Sequence, residues 1–259
     1  MPSVYTHYRF GTRLLPGLPA DVRGPILRNR ALFDAGLQGP DVFFFYKPVS
    51  AGPIHALGHD LHQQSGREFF TGICKNLSPD ADEATLSYLY GLLCHYCLDA
   101  VCHPLIEERI GHGSGEHNAL ESEFERYMLT LDGVKHPAAY RRNAHLKLGK
   151  NHYSVIRQFY PTATTGQLRE AFESMVLFLG LMTCGNRVHR AMAKSVLGLM
   201  GGGKTGLLVP EDPARENLNG ELLEKFNEAL LLFPQMLEQL RDHLTFRGAF
   251  GPEFDHPFG

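Results

Sequence analysis

The sequence predicts an all-α protein, and three observations support that fold class. Apolar residues recur at the three- and four-residue spacing of amphipathic helices, as between Leu168 and Leu179. No segment alternates apolar and polar residues clearly enough to predict a strand, and no internal repeat is present. With 259 residues, of which 43% are hydrophobic, the chain can build one sizeable core. We therefore expect a single-domain bundle of many helices.

The helices follow from this spacing and from the residues that interrupt it. Pro25 is expected to start or kink the first helix, and Pro104 to kink or end the long apolar one. A short aromatic segment at residues 1–11 precedes them, and residues 136–160 are expected to hold two shorter helices. The longer helices are predicted at residues 20–35, 52–77, 81–103, 117–131, 165–198 and 220–246.

The domain boundaries follow from the last of these helices. We expect one helical domain over residues 1–246, because the apolar periodicity continues to that point. The remaining residues, 247–259, are rich in glycine, proline and phenylalanine and lack helical spacing. They are predicted to form a tail.

The composition and charge of the chain limit which binding partners and which cellular compartment are expected. The formal net charge of −3 does not favour a nucleic-acid or anionic membrane surface as partner. The N-terminus lacks the basic and apolar regions of a signal peptide, and no run of about 18 apolar residues occurs. Five cysteines, three of them on the apolar helix, fit small buried side chains in a reducing compartment. We expect a cytoplasmic protein without a transmembrane segment.

The apolar helix carries a polar stripe that indicates a metal site. His95, Asp99 and His103 are spaced four residues apart, so they lie along one face. After a glycine-rich break, His117 and Glu121 repeat the four-residue spacing on the next helix. One such pair is more often a hydrogen bond in a core, but two pairs and a third histidine favour a divalent cation, which would offset the cost of burying these groups. Nitrogen and oxygen ligands suit zinc, and also manganese or iron.

Two earlier segments could supply further ligands. Gly39-Pro40-Asp41 predicts a turn that presents the Asp41 carboxylate inward, anchored by the aromatic residues that follow. His55, His59 and His62 lie on one side of a predicted helix, and at least one is expected to face the same cavity.

A glycine-rich segment, Gly198 to Thr205, satisfies the P-loop pattern. A P-loop needs a strand before it and a helix after it, so that the helix N-terminus meets the phosphates. Here a helix is predicted before the segment and prolines follow it, so a linker or lid is favoured over nucleotide binding.

The ordered set of candidate ligands resembles the zinc-dependent phospholipase C family, whose all-helical fold is shared with S1/P1-type nucleases. The resemblance covers about residues 1–130, and the two His/acid pairs are its most specific part. Its features are His7, the Asp41 turn, a histidine of the 55–62 window, His95-Tyr-x-x-Asp99, His103 and His117-x3-Glu121.

The resemblance implies two or three metal ions, zinc by preference, at three positions. The first would be held by Asp41, a histidine of the 55–62 window, His95 and Asp99. Of the window residues, His62 is favoured and His59 is second. The second position would be held by His103, His117 and Glu121. The third would be held by His7, the amino terminus of the chain and Asp99 as a bridge.

The resemblance also implies a reaction. The ions would activate a water for attack on phosphorus, with Asp41 serving both as ligand and as proton acceptor. The substrate would be a phospholipid or a related soluble phosphodiester.

Three alternatives stay open at this point. A nuclease could use the same site, although the mild acidity counts against a single-stranded nucleic-acid groove. The adjacent His59-Asp60 pair is similar to that of HD phosphohydrolases, which would leave His95 to Glu121 unexplained. A metal-stabilised binding module without catalysis would close its ions off with protein ligands, whereas an open coordination position would favour catalysis.

Overall fold

The computed structural model describes residues 4–47, 52–77, 81–110, 114–183 and 216–258, with isolated positions 188, 191, 192 and 195. This part of the chain contains helices and no strand, so the all-α prediction is confirmed. The α-helices are α1 (Val4–Leu14), α2 (Ala20–Arg28), α3 (Arg30–Gly36), α4 (Pro53–Gln63), α5 (Gly66–Asn76), α6 (Glu83–Ile110), α7 (Ser114–Leu131), α8 (His152–Arg157), α9 (Thr165–Leu181) and α10 (Glu216–Phe246). Short 3-10 helices lie at Leu15–Gly17, Gly39–Phe45, Pro137–Ala139 and Pro252–Phe254.

Helix α6 is the axis of the fold. Helices α1, α2, α3 and α10 all pack against it, so its side chains are covered on several sides. By length and composition alone, Glu83–Arg109 could cross a membrane, but 78% of its apolar window is buried inside the protein. That burial is typical of a core helix, and its described cysteines, Cys94, Cys97 and Cys102, are buried and unpaired.

A close contact between α3 and α6 positions the segment that follows α3. Gly36 and Gly91 face each other, and a Cβ on Gly36 would lie 2.3 Å from the Tyr88 carbonyl oxygen. Because neither residue has a side chain, the two backbones approach directly. The turn that follows α3 is thereby held next to the ligand-bearing face of α6.

Two predicted helices are each divided in the structure, and a third continues past its expected end. The 20–35 helix is divided at Asn29, whose φ of −122° interrupts the helix between α2 and α3. The 52–77 helix is divided before Ser65, whose hydroxyl caps α5 by accepting from the Glu68 backbone N–H. Helix α6 continues through Pro104 to Ile110, because the proline lies on the exposed side while Cys102 and Ile106 keep the helix packed.

The segment predicted to be a tail packs into the core. Phe250, Phe254 and Phe258 are all buried, and Phe254 and Phe258 are fully so. The Tyr96 hydroxyl donates to the backbone carbonyls of Glu253 and His256, which fixes the segment against α6. Residues 247–258 are therefore structurally continuous with the helical body.

Some predictions fall on residues that the structure does not describe. They are the amino-terminal metal ligand, the P-loop-like segment from Gly198 to Thr205, and most of the predicted 165–198 helix beyond α9, which ends at Leu181.

Candidate metal centre

The eight candidate ligands come from five elements and meet in the interior. Helix α1 carries His7, the 3-10 helix at Gly39–Phe45 carries Asp41, and α4 carries His62. The other five are the stripe on α6 and the pair on α7. Their ligand atoms fall into three groups, each with atoms within 4.8 Å of one another: His7, His95 and Asp99; Asp41, His62 and His95; His103, His117 and Glu121.

The first group is centred on the Asp99 carboxylate. His7 Nε2 lies 3.2 Å from Asp99 Oδ1, and His95 Nε2 lies 3.1 Å from Asp99 Oδ2. The two imidazole rings stack with centroids 4.4 Å apart. His103 Nε2 lies 3.7 Å from Asp99 Oδ1, so this carboxylate also borders the third group.

The second group joins the turn after α3 to helix α4. His62 Nε2 lies 2.8 Å from Asp41 Oδ1, while His62 Nδ1 donates to the Gly58 carbonyl at 2.7 Å. Gly39, with a φ of +48°, begins the turn and makes room for His95, because a Cβ there would lie 2.3 Å from the His95 ring. A side chain at residue 39 would displace the ring that the second group shares with the first.

The third group lies nearest the solvent. His117 Nε2 is 3.1 Å and His103 Nε2 is 3.4 Å from the same oxygen, Glu121 Oε1. The His117 side chain is 23% exposed, whereas that of Glu121 is 4% exposed. A cavity of about 20 Å³ lies between the first and third groups, with His7, Asp99, His103 and Glu121 in its wall. This volume suffices for one water-sized particle.

The electrostatics of the centre favour ionised carboxylates. Burial alone would raise the pKa of Asp99, but the adjacent His95, His7 and His103 hold it well below its usual range. Burial likewise opposes ionisation of Asp41, yet neighbouring positive charge and the contact with His62 lower its pKa to about 2. Burial lowers the pKa of His95 to about 4. The centre thus combines anionic carboxylates with a neutral imidazole.

His95 tests most directly whether these residues fit a metal ion. Its Nδ1 donates to the Leu37 carbonyl oxygen at 3.2 Å, which leaves the lone pair on Nε2. That Nε2 atom is buried without a hydrogen-bond partner, although Asp99 Oδ2 lies 3.1 Å away. A lone pair beside a carboxylate oxygen is unfavourable unless a cation lies between them. The nitrogen and oxygen donors therefore fit a zinc-type ion.

The remaining window histidines lie outside the three groups. His59 and Asp60 are both exposed, and His59 packs against the Phe44 ring, so the pair is not built into an interior site as an HD-type centre requires. His55 is half-buried and belongs to none of the groups. Of the window histidines, the structure therefore brings His62 to the centre.

This difference between His62 and His59 gives a paired test. We expect His62→Ala to lower the zinc bound per chain, because the second group loses one of its donors. His59→Ala, on the exposed side of the same helix, is expected to leave zinc binding unchanged. Metal content by mass spectrometry after equilibrium dialysis compares the two variants, and equal zinc retention in both would contradict the assignment of His62.

Two supporting contacts were not predicted from the sequence. The Glu125 carboxylate is buried, accepts from the Tyr5 backbone N–H at 2.6 Å and pairs with Arg142 at 2.5 Å, which ties α1 to α7 near His7. Its position four residues after Glu121 is a signal that could have identified it. The second is Phe258, which lies against His62 and His95 and had no periodicity to reveal it.

Comparison with known proteins gives one family. The model of the family described as zinc dependent phospholipase C matches residues 6–174, which include all eight candidate ligands. No curated protein and no solved structure gave a significant match.

Proposed function

Because the chain belongs to the zinc-dependent phospholipase C family, we propose that it is a metal-dependent hydrolase of phosphodiester bonds with a phospholipid as its substrate. The observation that carries the proposal is the buried, unpartnered Nε2 of His95 beside Asp99, where two of the three donor groups meet. The family name supplies the substrate class, and the donor groups supply the chemistry.

The three groups would hold two or three ions, zinc by preference. When bound, such ions polarise the phosphate oxygens and lower the pKa of a water that attacks phosphorus. Among the protein groups, Asp41 is both a metal ligand and the group that accepts the proton from the water. Its carboxylate lies at the centre, in contact with His62. Asp99 supplies negative charge to the first and third groups together.

The exposure of the third group favours catalysis over a purely structural role. A structural zinc site is closed by protein ligands, whereas a catalytic site keeps a coordination position for water or substrate. His117 is partly exposed, so a phosphate could approach the centre from this side.

The experiment is an assay of zinc-loaded protein on three phosphodiesters: phosphatidylcholine vesicles, a soluble short-chain phosphatidylcholine and single-stranded DNA. We expect release of the phosphorylated head group from the lipids, abolished by a chelator and in Asp41→Asn. Hydrolysis of DNA alone would replace the phospholipase proposal with a nuclease. Zinc-loaded, folded protein that cleaves none of the three would contradict it.

A further inference from the structure

The segment at residues 247–258 packs against the candidate metal centre, where Phe258 contacts two of its histidines. The Phe258 ring centroid lies 6.3 Å from that of His62 and 6.0 Å from that of His95, and the side chain is fully buried. Both distances are those of aromatic contact. His62 is on α4 and His95 is on α6, so one phenylalanine spans two ligands from separate helices. It lies beyond residues 6–174, where the family model matches.

Several contacts fix this segment in place. The Gly66 backbone N–H donates to the His256 carbonyl at 2.9 Å, and Ser65 forms an isolated antiparallel bridge with Pro257. These contacts join the segment to the start of α5, just after the helix that carries His62. Arg67 adds a second attachment, since its guanidinium donates to the Asp255 carboxylate and to the carbonyls of Phe250 and Gly251.

Phe258 completes the packing around the two imidazole rings. Phe44 contacts His62 with centroids 5.0 Å apart, and the hydrogen bond to Gly58 fixes the Nδ1 side of that ring. His7 stacks on His95, whose Nδ1 is held by a backbone carbonyl. Within the described residues, Phe258 is the aromatic side chain in ring contact with both. Removing it would leave a cavity in which either ring can turn its Nε2 away from the centre.

We propose that Phe258 is a positioning residue of the metal centre: the C-terminal segment presses its ring against His62 and His95 and thereby orients both imidazoles for the ion. The inference rests on the proposed function, because it needs zinc to bind at these groups. Phe258 itself offers no donor atom, so it acts through the histidines.

The structure offers a matched control in the same segment. Phe254 is also fully buried and packs on Tyr96 and Phe70, but among the described residues its ring contacts no histidine ring. Phe254→Ala and Phe258→Ala should therefore both lower the melting temperature through lost packing. The two differ in their distance from the ligands.

The test measures zinc affinity of the full chain by competition with a chromophoric chelator, alongside the melting temperature of the metal-free protein. We expect Phe258→Ala to weaken zinc binding by about 10- to 100-fold, the usual effect of residues that orient metal ligands. Phe254→Ala is expected to bind zinc as the wild type does. Phe258→Leu, which keeps most of the apolar volume, should fall between the wild type and Phe258→Ala, and it replaces the alanine variant should that one fail to fold.

The outcomes separate this inference from the proposed function. If the wild type binds zinc and the Phe258 variants bind it as tightly as Phe254→Ala does, the positioning role is overturned. The proposed function is not affected by that outcome. A wild-type chain that binds no zinc would overturn both. A selective loss in the Phe258 variants supports both.

Discussion

Replacing Asp99 by asparagine is expected to remove most of the bound zinc and to lower the rate of phosphodiester hydrolysis by more than about 100-fold. Loss of a residue that only orients metal ligands lowers activity by up to about 100-fold, and loss of a ligand itself should cost more. The reason is that one carboxylate serves two donor groups. Asp99 lies 3.2 Å from His7, 3.1 Å from His95 and 3.7 Å from His103. Asparagine keeps the shape but not the charge, so the ions would lose a shared anionic ligand.

The control for this variant is an exposed aspartate on another helix. Asp60→Asn changes an exposed carboxylate on α4 that belongs to none of the three groups, and it should leave zinc content and kcat/KM unchanged. For both variants we would measure the zinc content, the folded state by circular dichroism, and kcat/KM. If Asp99→Asn is folded and retains the zinc of the wild type, Asp99 is not the shared ligand.

Replacing Arg142 by alanine is expected to cost about 3–5 kcal/mol of the free energy of unfolding, because it leaves the Glu125 carboxylate buried without its ion-pair partner. The two side chains are 2% and 0% exposed and lie 2.5 Å apart. Burial raises the pKa of Glu125 above its usual value, and the charge and hydrogen bond of Arg142 counteract that rise. The arginine therefore stabilises the ionised carboxylate. Urea denaturation followed by circular dichroism measures the loss.

Two comparisons identify the cause of that loss. The double variant Glu125→Gln, Arg142→Met removes both charges and should be less destabilised than Arg142→Ala. Arg28→Ala breaks an exposed pair with Glu83 and should change stability little, because solvent screens such pairs. An Arg142→Ala loss no larger than that of Arg28→Ala would contradict the account of the buried pair.

The spacing of residues predicted the all-α fold class and the side chains that share a helix face, but it did not predict where the helices end. His95, Asp99 and His103 could be identified because a helix places every fourth residue on one face, and that relation holds without tertiary information. The window histidines could not be ranked by spacing, because His55, His59 and His62 share a side. Exposure of His59 and the contact of His62 with Asp41 are tertiary facts.

Helix ends and the C-terminal segment depended on packing that local sequence does not encode. Pro104 is a strong local signal for a helix end, yet buried neighbours on both sides hold the helix through it. The phenylalanines of residues 247–258 lack helical spacing, so the sequence predicted a tail. Phe254 packs on Tyr96, and the Phe250 carbonyl accepts from Arg67, so these partners lie more than 150 residues earlier in the chain.

The most direct test of the metal centre is anomalous diffraction at the zinc absorption edge from crystals of the protein incubated with zinc. We expect two or three peaks, at the groups formed by His7, His95 and Asp99, by Asp41, His62 and His95, and by His103, His117 and Glu121. Each peak should lie about 2.0–2.2 Å from imidazole nitrogens and carboxylate oxygens. Peaks confined to exposed residues such as His59, with none at these groups, would contradict this expectation.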